Sequence, residues 1–510
     1  MSKPSRKKGT IALIISSYSS LIIAIVKGLV LIPIYLYYID DRLYGAWLAT
    51  GSIIAYLGLL DFGLNNVLLQ RVASSYGENN FNLLGSILGT GLVIGFFLSL
   101  LPIFAGLIFS GWITSIVKVS GDEASQLRSA FIIAAVGTSL MLAMYNVGGV
   151  LAALQRQAIH GFFLVLGDIT GILITVFLLI AGYGLLSIPL GTLTWALISF
   201  SGDGLYLWWF IEKKLADISI KFKVKEAKDL FLQSAWQFGS RSAVTATRES
   251  DNLIIAILTD PKLCTIFTLT KKASEMLALL VRNFIGAFLP GLAHLHGEGD
   301  KEKFKKITIV LFKMTSLSGI CLIGGYLFLN KQFVRLWVGS EFFGGMILTA
   351  LLCVSALFII FSTFFYNVIF AKGEMSTAAK ANIAEAFIRI PLCIVLVMLW
   401  GIKGAALAAV LAVIPTSLLI QAKKCLVLLN LSKKDFLNYL KIMVFQILLA
   451  LITGIILKSI WKPEGINEFL FWGAFYMTIV IIFCTYFDKE LRSIVLDFKR
   501  AFLEKFVMQR

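Results

Sequence analysis

Apolar stretches of about 20 residues follow one another down the chain, separated by short polar or basic connections. A helix rises about 1.5 Å per residue, so each stretch is long enough to cross a bilayer core of roughly 30 Å. Fourteen spans are expected, near 11–38, 44–69, 82–110, 129–152, 160–181, 186–211, 229–258, 263–290, 307–329, 343–370, 378–399, 403–422, 438–458 and 467–487. The second and eighth are expected to run on into short amphipathic cytoplasmic helices. The pattern predicts an all-α polytopic membrane protein. The first apolar run reaches Tyr38, beyond the roughly 7–15 residues of a signal-peptide core, and is expected to stay as an anchor.

Composition agrees with the pattern. Of 510 residues, 58% are hydrophobic and 15% charged, which excludes a soluble enzyme, a secreted disulfide scaffold and a disordered chain. Cys264, Cys321, Cys353, Cys393, Cys425 and Cys484 are scattered, mostly within apolar runs, with no CxxC pair. They read as small apolar packing residues.

The net charge of +17 does not imply a nucleic-acid partner, because loops rich in Lys and Arg account for it. Loops on the side of the N-terminus carry 29 basic residues and the opposite loops nine. This bias places both termini in the cytoplasm and supports an even number of spans. Beyond the last span, Leu491, Val495, Phe498, Phe502 and Phe506 recur at helical spacing among Lys and Arg. That tail reads as a basic amphipathic helix on the inner leaflet.

The first six spans and the next six read as two copies of one unit. With a shift of 220, Asp40 meets Asp260, Leu43 meets Leu263 and Thr50 meets Thr270, while Ala73, Gly77 and Glu78 meet Ala293, Gly297 and Glu298. With a shift of 221, Tyr145-Asn146-Val147 meets Tyr366-Asn367-Val368. Six spans separate the copies, so both share one orientation and imply a pseudo-two-fold along the membrane normal, a known transporter plan. The expected organisation is a lobe over 1–211, a basic linker over 212–228 and a second lobe over 229–424. Two extra helices over 425–488 and the tail over 489–510 complete it.

At the second span the motifs become specific. Leu43-Tyr44-Gly45-Ala46-Trp47 followed by Leu60-Asp61-Phe62-Gly63-Leu64 resembles bacterial polysaccharide-unit flippases of the Wzx type. Their superfamily also holds multidrug-and-toxin extrusion transporters and lipid II flippases. The resemblance implies a V-shaped pair of six-helix lobes working by alternating access. It implies a substrate of oligosaccharide linked to undecaprenyl pyrophosphate, carried across the bacterial cytoplasmic (inner) membrane for O-antigen or capsule. It also implies membrane lipids and other polysaccharide-assembly membrane proteins as partners. Fourteen spans, rather than the twelve of many members, also occur in the lipid II flippases.

Charges within spans are costly and should face a partner or water. The bases are Lys27, Arg241, Arg248, Lys271, Lys272, Arg282, Lys313 and Arg389, and the acids noted beside them are Asp168, Asp203, Glu249, Asp251, Glu275 and Glu385. Ser234, Gln237, Arg241, Thr245, Arg248 and Asn252 form one polar stripe on the seventh span. Arg241 has no acid three or four positions away, whereas Arg248 has Glu249 and Asp251 nearby. Lys271–Glu275 and Glu385–Arg389 have the spacing of helical ion pairs. Lys27 stands alone on its span, and Lys313 is expected to snorkel. A cationic cavity suits an anion, since arginine presents a planar fork to phosphate oxygens. Arg241, Arg248, Arg282, Lys27 and Arg389 are therefore the expected pyrophosphate-binding residues. Asp168 and Glu385 are the candidates for coupling to a proton or sodium ion.

No cofactor or metal is expected. There is no HExxH or P-loop, and His160, His294 and His296 are too dispersed for a catalytic cluster. The longest outer connection, about Ser110 to Arg128, is shorter than an integral-membrane polymerase would need. A lipid II flippase, a cation-coupled multidrug exporter and, more distantly, a membrane polymerase are the alternatives to a polysaccharide-unit flippase.

Overall fold

The computed structural model describes residues 6–78, 80–215, 218–289, 292, 295–296, 300–460, 464–488 and 492. No strand occurs among them. The first half forms α1 (Arg6–Tyr38), α2 (Asp41–Leu57), α3 (Leu64–Gly77), α4 (Phe81–Ile116), α5 (Gly121–Ala153), α6 (Gln157–Ile180), α7 (Ser187–Lys214), α8 (Val224–Leu258) and α9 (Pro261–Ala287). The second forms α10 (Lys301–Trp337), α11 (Met346–Ala371), α12 (Met375–Trp400), α13 (Ile402–Val413), α14 (Leu419–Leu428), α15 (Lys433–Ile460) and α16 (Ile466–Phe487). Counting α13–α14 as one, ten helices are long and apolar enough to cross a membrane among the described residues: α4 to α7 and α10 to α16. The other expected spans fall on α1, on α2 with α3, and on the charged helices α8 and α9. The chain is a multi-pass, all-α membrane protein. The C-terminal tail with Leu491, Val495, Phe498, Phe502 and Phe506 lies outside the described residues, as do His294, Ala293, Gly297 and Glu298.

One expected span is broken, and another is continuous but irregular. The stretch over 44–69 divides because Phe62 and Gly63 take left-handed φ values of 48° and 79°. The Asp61 carboxylate accepts the Gly63 N–H at 3.0 Å and fixes that turn. The stretch over 403–422 passes through a π turn at Ile414–Leu418, where Pro415 supplies no N–H.

By contacts the chain forms two units, Met1–Thr265 and Ile266–Arg510. In the first, α6 and α7 meet along small residues. Gly167 and Gly171 of α6 lie against Gly191, Trp195 and Ser199 of α7 so closely that an added Cβ would collide with them. Backbones approach this way in membranes, where packing replaces the hydrophobic drive. Helix α8, assigned by the repeat to the second half, packs on α2, α3 and α4 of the first unit. All six cysteines are buried and unbonded, as their apolar settings imply.

The repeat is visible in its turns. Asp40 accepts the Arg42 N–H at 2.9 Å, and Asp260 accepts the Lys262 N–H at 2.8 Å. The two helix starts then cross. Lys262 pairs with Asp41 at 2.8 Å, and the Thr265 hydroxyl donates to the Asp41 carbonyl at 2.7 Å. The hydrogen bond from Lys262 to Asp41 holds its ammonium pKa above the ordinary value. A raised lysine pKa stabilises the fold at neutral pH and ceases to do so as pH rises through that titration. At the crossing, a Cβ on Gly45 would meet the Pro261 carbonyl oxygen, and backbone yields poorly. Gly45→Ala is expected to destabilise the protein by about 1–3 kcal/mol, read as a lower melting temperature in detergent. An unchanged melting temperature would show that the crossing is looser than this.

In the second unit, α10 packs on α11, α15 and α16. Phe312 of α10 sits among Phe361, Phe364 and Phe365 of α11. Lys313 does not snorkel. It is buried and pairs with Asp488 at 3.0 Å, because α16 ends beside it.

Candidate functional site

The polar groups of the first unit gather around α8. Arg241 gives Nη1 to both carboxylate oxygens of Asp61, at 3.1 and 3.3 Å. Asp61 exposes 6% of its side chain and Arg241 42%. The carboxylate is thus a buried anchor, and the guanidinium remains open to a ligand. Phe62 and Phe238 meet at a tilt beside this pair, with centroids 4.9 Å apart. The same turn that breaks the second expected span therefore delivers the acid that holds Arg241. Toward the start of α8, Arg71 of α3 pairs with Glu226 at 3.4 Å.

The same unit holds a second pair. Lys27 of α1 and Asp168 of α6 approach to 3.7 Å, with side chains 31% and 21% exposed. Tyr145 of α5 is within electrostatic reach of both Asp168 and Arg241. Tyr56 of α2 is similarly placed toward Glu249 and Asp251 of α8. Basic, acidic and phenolic groups from α1, α5, α6, α8 and the α2–α3 turn are thus combined in one unit. Close ion pairs of this kind hold charge in the membrane while limiting its net value.

Two sequence expectations change. Arg241 was expected to lack an acid and Lys27 to stand alone; both are paired, with residues distant in sequence that a search for helical neighbours misses. Asp61 was missed as a site residue although it lies in the motif Leu60-Asp61-Phe62-Gly63-Leu64. Arg248 lies two turns beyond Arg241 on α8 and is exposed. His160 lies at the helix end where its span was expected to begin. It opens α6, and its Nδ1 lies 2.6 Å from the fully buried Asp203 carboxylate of α7.

The second unit holds the remaining expected residues. Lys271 and Glu275 form the predicted pair at 2.9 Å. Glu385 accepts a short hydrogen bond from Ser417, which the π turn presents. Gln421 joins Asn382 and Ser362 in the same region, each at 3.4 Å. Arg389, one turn beyond Glu385, is 4% exposed. Arg282 of α9 is partly exposed. The cluster around Glu385 can accept and donate protons or hydrogen bonds; π turns are frequent at functional positions. Among the described residues no cluster of three or more His, Cys, Asp or Glu has the form of a metal site.

The chain was compared with known proteins. Residues 161–344 match the model of a family described as "Polysaccharide biosynthesis protein". A lipid II flippase, MurJ, in an inward closed conformation is similar with a TM-score of 0.68 and 16% identity, over 94% of this chain and 99% of that one. An inward-facing multidrug-resistance MATE-family transporter of the MOP superfamily is similar with a TM-score of 0.67 and 14% identity, over 80% and 94%. The chain thus has the fold seen in that lipid II flippase and that MATE-family transporter. A MATE multidrug transporter solved in complex with R6G is similar at a TM-score of 0.58 and 14% identity, over 84% and 98%. No curated protein sequence matches the chain.

Proposed function

We propose that this chain is a Wzx-type flippase that carries an oligosaccharide linked to undecaprenyl pyrophosphate across the bacterial cytoplasmic membrane. It works by alternating access, without covalent chemistry and with both termini cytoplasmic. The observation that carries this reading is Arg241, open at 42% of its side chain and anchored by the buried Asp61. A guanidinium so held meets a pyrophosphate in a fixed orientation. Arg248 extends the same helix face, and Lys27, Arg282 and Arg389 complete the expected set. The glycan takes the wet part of the path, and the polyprenyl tail stays in lipid.

The family description supports a role in polysaccharide assembly, and the flippase neighbour supports a lipid-linked cargo. An exporter of organic cations would favour an acidic, aromatic cavity over exposed arginines on α8. The wider coverage by the lipid II flippase keeps lipid II as the second reading. Purified protein in vesicles is expected to flip a fluorescent undecaprenyl-pyrophosphate oligosaccharide faster than it flips lipid II. Rapid movement of lipid II alone would transfer the assignment to peptidoglycan, and movement of an organic cation alone would defeat both flippase readings.

A further inference from the structure

At one end of the second unit, where α10 and α15 begin and α16 ends, lies a cavity of about 550 Å³. Lys313, Lys441, Gln446 and Asp488 line it together with Phe445 and Phe487. Its polar groups are only partly satisfied by the protein. Gln446 is 1% exposed; its carboxamide oxygen accepts from Ser316 at 2.6 Å, while its Nε2 has no partner. A buried donor left unmatched is costly, so its place on a cavity wall points to an acceptor from outside the chain.

The chemistry of that acceptor follows from the wall. Lys313 is held by Asp488 at 3.0 Å, which leaves Lys441 as the balance of positive charge. One net positive charge and an amide N–H suit an oxyanion. Beside them the rings of Phe445 and Phe487 meet edge to face with centroids 5.3 Å apart, and both are exposed. A free anion has no use for that apolar wall, whereas a lipid places its phosphate by the lysines and its acyl chains along the rings.

We propose that this cavity is a binding site for the phosphate of an anionic phospholipid, separate from the substrate path. The site belongs to the end of the bilayer at which α10 and α15 begin. It ties α15 and α16 to α10 through the lipid as well as through direct packing.

The test uses purified full-length protein in detergent, with phosphatidylglycerol, phosphatidylcholine or inorganic phosphate added. Phosphatidylglycerol is expected to raise the melting temperature, and the other two are not. Lys441→Gln removes an exposed charge without disturbing the core, and should raise the lipid concentration needed by about tenfold, as loss of one charge-assisted hydrogen bond implies. Gln446→Glu keeps the acceptor for Ser316 and turns the donor into a repelling oxygen; it should abolish the shift. Native mass spectrometry of the same samples counts bound lipid and does not depend on the variants' stability. Equal protection by phosphatidylcholine or inorganic phosphate, or undiminished lipid retention in both variants, would overturn the assignment.

Discussion

Arg241→Ala is expected to abolish export of the surface glycan, and Asp61→Ala to do the same. Removing one partner of a buried ion pair costs about 3–5 kcal/mol, but Arg241 is 42% exposed, and solvent screening reduces the figure here to about 1–2 kcal/mol. A loss of that size lowers stability without preventing insertion. The decisive variant is therefore the neutral pair Asp61→Asn with Arg241→Gln. It retains side chains capable of hydrogen bonding and leaves no uncompensated charge. If the pair serves only to join the α2–α3 turn to α8, this double variant should export normally. If Arg241 engages the anionic cargo, the double variant should be stable, abundant and inactive. Arg241→Lys should recover part of the activity, because a point charge replaces the planar fork. Export measured against protein abundance separates these outcomes, and full activity in the double variant would remove Arg241 from the site.

The all-helical membrane character was legible because bilayer thickness forces long apolar runs, and such runs leave no competing assignment. The 220-residue shift was legible at Asp40 and Asp260, where the same capping bond recurs. What the sequence concealed were partners brought together across helices. Arg241 has no acid three or four positions away on its own helix, and Asp61 stands 180 positions earlier. Lys27 stands alone on its own span, and its partner Asp168 comes from α6. Helical periodicity reports only neighbours three or four positions apart, so it is blind to such pairs. It also missed the break at Phe62–Gly63, since an apolar run continues across a left-handed turn without any change in hydropathy. Lys313 failed for a different reason. Its nearness to the cytoplasmic end of its span suggested snorkelling, but the end of α16 supplies a carboxylate within reach.

The Lys27–Asp168 pair gives the second large effect, on the coupling of transport to its driving force. At 3.7 Å the two charges largely cancel. A proton taken up by Asp168 converts the pair into a single cation. Moving that cation toward the negative side of the membrane is favoured by about 2.3 kcal/mol per 100 mV. The empty carrier would thus be returned by the potential, and the proton would set how much charge it carries. In vesicles containing a lipid-linked oligosaccharide, an inside-negative potential and a pH gradient imposed separately should each accelerate flipping by the wild-type protein. Asp168→Asn mimics the protonated acid and leaves Lys27 charged at every pH. That variant should keep its response to the potential and lose its response to pH. Lys27→Gln should weaken the response to the potential instead. A wild-type pH response in Asp168→Asn, or equal flipping rates with and without both gradients in the unmodified protein, would leave passive equilibration as the mechanism.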